Sequence, residues 1–158
     1  MTGDCPVQRH FTASAFVTFQ GRVLLLLHAT KDLWLPPGGH VEADEAPHVA
    51  AVREVLEETG LPVELCSAAV PEECATAAPR PEALLEILVE PLHVHLDLVF
   101  FARPTPGADP RSLVPNEEAL ELRWWSAQEL RERAADPRLP ADVVLLGLRA
   151  LTAAEGTV

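Results

Sequence analysis

The sequence is short of thiols, of basic residues and of long apolar runs, and each shortage excludes a class. Its three cysteines, Cys5, Cys66 and Cys74, are odd in number and make no CxxC pair. Neither a disulfide framework nor a cysteine zinc site organises such a chain, and a reducing cytoplasm is the simpler expectation. The longest apolar run, Val23 to Leu27, falls far short of the roughly 20 residues that span a bilayer, so no membrane association is expected. The opening MTGDCPVQRH has neither an apolar h-region nor a basic n-region, so no signal peptide is expected. Lys and Arg number 12 against 24 Asp and Glu, for a net charge of −12. A chain so acidic repels nucleic-acid phosphates at long range and lacks the basic patch of a nucleic-acid binder. It would repel a small polyphosphate for the same reason, unless metal ions mediate the meeting.

What is present suits one compact domain over residues 1–158. A chain of 158 residues with 48% apolar content can bury roughly 70% of its unfolded surface and needs no staples. No internal repeat or dividing linker interrupts it. Residues 11–19 and 22–29 read as strands joined by a tight Gln20-Gly21 turn. Residues 31–39, with Pro36-Pro37 and Gly38-Gly39, read as a loop. Pro47 suits a helix start, and Gly60 and Pro62 a stop, so a helix is predicted over about 47–59. Strands are predicted at 62–70, 83–90, 92–102 and 121–125, with loops at 71–82 and 103–118. Ser126 caps a short helix, AQELRERAA, with Glu129 at the capping-box position. A last helix runs from about Ala141 to Leu151. Strands alternating with few helices imply a mixed sheet with helices packed on both faces, an α/β architecture.

The helix over 47–59 is unusual. At about 100° per residue, Glu57 and Glu58 fall at about 300° and 40° from Glu54, so three carboxylates share one arc. Val49, Val52, Val55 and Leu56 fall opposite and are expected to face the core, with Arg53 bordering the acids. Like charges three and four positions apart on a helix cost roughly 0.2–0.5 kcal/mol per pair. An ordinary solvated face is one explanation. A cation bound there during function is the other.

Gly39, Glu45, Arg53, Glu54, Glu57, Glu58 and Gly60, with apolar Val55 and Leu61, fill every place of G-x(5)-E-x(7)-R-E-U-x-E-E-x-G-U. A chance match at one start is on the order of one in 10⁸ or rarer at ordinary residue frequencies. That pattern is the Nudix box, and the chain resembles the Nudix hydrolases. LWLPPGGHVE before the box, NEEALELRWWSAQEL after it and the His-x-Asp strand LHVHLDLVFFA extend the resemblance more loosely. The family implies an α/β/α sandwich and hydrolysis of a nucleoside diphosphate linked to another group.

The chemistry explains the residues. A pyrophosphate bridge must have its oxygens neutralised, a water placed in line with phosphorus, and a proton accepted. Mg²⁺, with Mn²⁺ as a substitute, prefers hard carboxylate oxygens and inverts the local field of an acidic protein. By resemblance, Glu54, Glu57, Glu58 and the Gly39 carbonyl are metal ligands. Glu54, Glu57 and Arg53 are counted with the catalytic group, while Glu45 and Gly38 support it. Arg53 is expected to orient a carboxylate, and Gly38 and Gly39 to bring the loop against the helix. The general base is either a box Glu or a late-loop Glu; Glu118 matches the latter, with Glu117 and Glu121 as rivals and plain surface carboxylates as the bland alternative.

His93, His95 and Asp97 share one strand face, open to pocket-lining, a metal pair or ordinary packing. His95 and Trp34 are candidate substrate-binding residues, although Trp34 reads equally as a sheet anchor. Trp124 and Trp125 point to opposite faces, so one belongs to the core. The leading reading is an enzyme acting on a small nucleotide, with homodimers common among relatives. A non-catalytic nucleotide sensor is the alternative, although such modules typically lose a box carboxylate and none is missing here. The absence of Tyr argues against diadenosine polyphosphates. Thr76 and Ala77 stand about where ADP-ribose hydrolases carry a proline, with Pro79 a little beyond, the coenzyme A signature is absent, and RNA caps suit an acidic chain poorly. A nucleoside triphosphate, a nucleotide sugar or another small diphosphate remains.

Overall fold

The computed structural model of the protein describes residues 7–66 and 78–156. In chain order these form β1 (Gln8–Phe19), β2 (Arg22–His28), β3 (Trp34–Leu35), β4 (Gly38–His40), α1 (Pro47–Thr59), β5 (Val63–Leu65), β6 (Ala83–Glu90), β7 (His93–Pro104), β8 (Ala119–Ser126), α2 (Ala127–Glu132) and α3 (Ala141–Glu155). Gln20 and Gly21 take positive φ of 48° and 71°, the two left-handed positions of a type I′ turn. Phe19 pairs with Arg22 across them.

β1 is the hub. One edge runs antiparallel to β4 and then β2, and the other runs parallel to β7 from Gln8↔His93 to Val17↔Ala102. β6 and β5 extend the sheet antiparallel beyond β7, while β3 and β8 extend it beyond β2. Because alternate residues face opposite ways, Ala13, Ala15, Val17, Phe100 and Ala102 meet Ala50, Ala51 and Val55 of α1 on one face. Phe16, Val99, Phe101 and Trp125 meet Leu130 of α2 and Val143, Leu146 and Ala150 of α3 on the other. The expected mixed sheet between helical layers is the architecture found. Among the described residues no helix is long and apolar enough to cross a membrane.

Several boundaries differ from expectation. The predicted loop at 31–39 contains β3 and begins β4, because β1 and β2 each have a free edge that these short segments complete. α2 stops at Glu132 rather than Ala135, and α3 runs on to Glu155. β5 ends at Leu65; the remainder of the predicted strand at 67–70 and the loop at 71–77 lie outside the described residues, as do Cys5 and Cys74.

The largest correction concerns α1. Val49 and Leu56, expected to face the core, are 50% and 49% exposed, whereas Ala50, Ala51, Val55 and Glu58 are buried. The small alanines let the helix lie close against β1 and β4. Its acidic arc therefore borders, and partly enters, the buried face.

Candidate metal centre

The centre is built where β4 lies against the second half of α1. Ser14 and Ala13 of β1 pair with Gly38 and Gly39, leaving no room above either glycine. A Cβ on Gly38 would lie 2.7 Å from the Ala13 carbonyl and the Ser14 Cα, and one on Gly39 would lie 2.6 Å from Cδ of Glu54. Neither glycine has a positive φ. Their role is the expected close approach of this segment to the helix and to β1.

That approach sets two carboxylates apart from ordinary surface acids. Glu58 is only 3% exposed, and the Gly38 N–H donates to its Oε2 at 2.8 Å. Burial, opposed by that hydrogen bond and reinforced by the nearby charges of Glu54 and Glu118, pushes its carboxyl up to about 8. Among the described residues no Arg or Lys forms an ion pair with it. Glu54 is also raised, first by burial and despite its hydrogen bond to Arg53. Glu57, one turn along, is exposed.

Arg53 organises the rim. Its Nε and Nη2 donate to Oε1 and Oε2 of Glu45, both at 2.8 Å. Nη1 donates to Glu54 Oε1 at 2.8 Å and Glu57 Oε2 at 3.2 Å, and Nη2 also reaches the His40 carbonyl at 3.1 Å. A planar guanidinium can serve these acceptors together because its donors form a rigid fork. The Arg53 hydrogen bonds hold the Glu45 carboxyl below its usual range and raise Arg53 itself. Arg53 thus fixes the side chains of Glu54 and Glu57 from the flank, leaving Glu58 to the glycine loop.

Glu118 sits at the entrance to β8. Its backbone carbonyl accepts from the Ala29 N–H at 2.8 Å and its N–H donates to Asn116 Oδ1 at 2.9 Å. The side chain is exposed, and its charge raises both Glu54 and Glu58, so it lies within electrostatic reach of the box carboxylates. Of its rivals, Glu121 lies within β8 opposite Leu27, and Glu117 is exposed.

The histidines occupy the opposite face of the sheet from α1. His10 of β1, His40 of β4, and His93 and His95 of β7 pack ring to ring, with centroids 4.8 to 6.5 Å apart. Burial, reinforced by His40 and His93, pushes His95 down to about 4. Asp97, on the same face of β7, is buried and accepts from Thr12 Oγ1 at 2.9 Å and Ser14 Oγ at 2.7 Å. His10 and His40 were not among the candidates read from sequence. No spacing announces them, because only the β1–β7 and β1–β4 registers bring three strands together.

Trp34, a candidate for substrate stacking, is 3% exposed and packs edge-on against Trp125 at 5.1 Å. The stacking role is withdrawn, and the sheet-anchor alternative stands. Trp125 is fully buried and Trp124 partly so, on opposite faces as expected. A cavity of about 620 Å³ lined by Phe19, Gly21, Phe101, Arg103 and Leu151 lies near the β1–β2 turn and includes none of the candidate residues.

The profile of the NUDIX domain matches residues 8–144. The chain belongs to the NUDIX family. Its members are hydrolases acting on pyrophosphate bonds of nucleotide derivatives. A MutT-like protein of Streptomyces ambofaciens is 28% identical over 83% of this chain and 72% of its own length. The zebrafish (Danio rerio) m7GpppN-mRNA hydrolase NUDT17 is 36% identical over 51% of this chain, and the match spans only 31% of that protein. Among solved structures, a NUDIX-family hydrolase from Clostridium perfringens superposes with a TM-score of 0.80 at 29% identity, covering 92% of this chain and 97% of that one.

Proposed function

We propose that this NUDIX protein hydrolyses a pyrophosphate linkage in a small nucleoside diphosphate derivative, using Mg²⁺ held by Glu54, Glu57, Glu58 and the Gly39 carbonyl. The observation that carries this reading is Glu58, a buried carboxylate with one N–H donor and no ion-paired Arg or Lys among the described residues. Burying such a group without a counter-charge is costly, and a hard divalent cation is the missing partner that this all-oxygen donor set fits. When bound, the ion neutralises phosphate oxygens and makes water a better nucleophile.

The chain's own part is positioning. Arg53 holds Glu54 and Glu57 in place, the Gly38 N–H holds Glu58, and the absence of side chains at Gly38 and Gly39 keeps the loop against the helix. Glu118, exposed and within electrostatic reach of these acids, is the proposed acceptor of the attacking water's proton. His95, beyond Gly39 on the sheet, is a proposed pocket residue. The acidic balance favours a nucleoside triphosphate or nucleotide sugar over RNA; the zebrafish relative's printed activity makes capped RNA a required comparison.

The test is product identification by mass across a panel of these compounds, with and without Mg²⁺. Metal-dependent cleavage at a pyrophosphate bond is expected, reduced at least about a hundredfold in Glu57→Gln. Nucleotide binding without turnover would instead establish a sensor. Glu118→Gln is expected to lower kcat about 10²–10⁴-fold and flatten the acidic limb of the rate–pH profile. An unchanged rate and profile would remove Glu118 from the mechanism.

A further inference from the structure

We propose that His10, His40 and His93 form a second metal site, selective for a borderline transition ion such as Zn²⁺ and chemically distinct from the carboxylate centre. The three residues come from β1, β4 and β7, and their ligand nitrogens all lie within 4.8 Å of one another. Tetrahedral zinc with Zn–N near 2.0–2.1 Å needs nitrogens about 3.3 Å apart, so side-chain rotations of about 1 Å close the set. His10 and His40 are exposed and free to make them.

A second observation points to a ligand. The buried Nε2 of His93 has no hydrogen-bond partner, an arrangement native proteins avoid at a cost of roughly 1–3 kcal/mol. A bound ion supplies a partner.

The identity of the ion follows from the donors. Asp97, the carboxylate on the same face of β7, has both oxygens engaged by Thr12 and Ser14. The cluster is therefore a set of imidazoles alone. Imidazole selects Zn²⁺, Ni²⁺ or Cu²⁺, whereas carboxylates and carbonyls select Mg²⁺. The two centres adjoin through the Gly39–His40 peptide, with the His40 carbonyl held by Arg53. A histidine-bound ion would thus fix the same strand that presents the Gly39 carbonyl.

Equilibrium dialysis of the whole chain against micromolar Zn²⁺, in millimolar Mg²⁺ to occupy the carboxylates, tests this without reference to catalysis. The parent chain is expected to retain Zn²⁺, and Co²⁺ in its place to give visible absorption bands. His10→Gln and His93→Gln should each weaken retention at least about tenfold, while Glu57→Gln should retain the ion. His10 is exposed, so its variant tests the site without disturbing the core, and circular dichroism checks both folds. Zinc displaced by Mg²⁺, retained equally by the histidine variants, or lost from Glu57→Gln would each overturn the proposal.

Discussion

Glu58→Gln is expected to abolish Mg²⁺-dependent turnover and yet make the metal-free protein more resistant to heat at pH 8. The carboxyl is pushed up to about 8 in the fold, against an ordinary value near 4.5 when the chain is unfolded. Unfolding between these values therefore releases a proton. The folded state keeps its full advantage only below about pH 4.5 and loses it as pH rises through about 8. Each unit of difference is worth about 1.4 kcal/mol, so the loss at pH 8 is on the order of a few kcal/mol. Glutamine can still accept from the Gly38 N–H and carries no charge to bury. Melting curves at pH 5 and pH 8, with chelator or with Mg²⁺, make the comparison. The parent should lose stability toward pH 8 and regain it with Mg²⁺, and both changes should be much smaller in the variant. A variant whose melting temperature tracks the parent's at every pH would show that Glu58 is not a buried, uncompensated acid.

Arg53→Ala carries the second large effect. It strips the partner from Glu45, 11% exposed at the side chain, and from Glu54, 15% exposed. Leaving two half-buried acids unpaired should cost roughly 1–3 kcal/mol in urea unfolding. Mg²⁺ affinity should fall about 10–100-fold, because ligand orientation is lost along with charge balance. Arg53→Lys should recover little of either. A lysine offers one point charge where the structure uses a fork reaching Glu45, Glu54, Glu57 and the His40 carbonyl together. If Arg53→Lys needed no more Mg²⁺ than the parent for half-maximal rate, the orienting role would be wrong.

Much of the site was legible because the box is local. Seven polar and glycine positions over one loop and one helix specify each other by spacing, and the structure places Gly39, Glu54, Glu57 and Glu58 around one another. What could not be read was which of the three acids is buried. A helical wheel ranks faces by hydropathy, and by that measure Val49 and Leu56 outrank Ala50 and Ala51. Packing distance decided otherwise, since only small residues let α1 settle onto the glycine strand, and Glu58 went in with them. Trp34 failed for a related reason. Its two-residue strand exists because β2 offers a free edge, and that pairing turns the indole toward Trp125. The histidine cluster was illegible in principle. His10, His40 and His93 are far apart in sequence and meet only through the parallel β1–β7 and antiparallel β1–β4 registers, which no short-range pattern encodes.

The central claim is that Glu54, Glu57 and Glu58 exist to hold divalent cations. Titration calorimetry of the parent chain with Mg²⁺, and with Mn²⁺, addresses it most directly, in parallel with a Glu54→Gln/Glu57→Gln/Glu58→Gln triple variant. Uptake by the parent that is lost in the triple variant, with both proteins folded, is the predicted result. Equal uptake by the two, or none by either with nucleotide present, would contradict it.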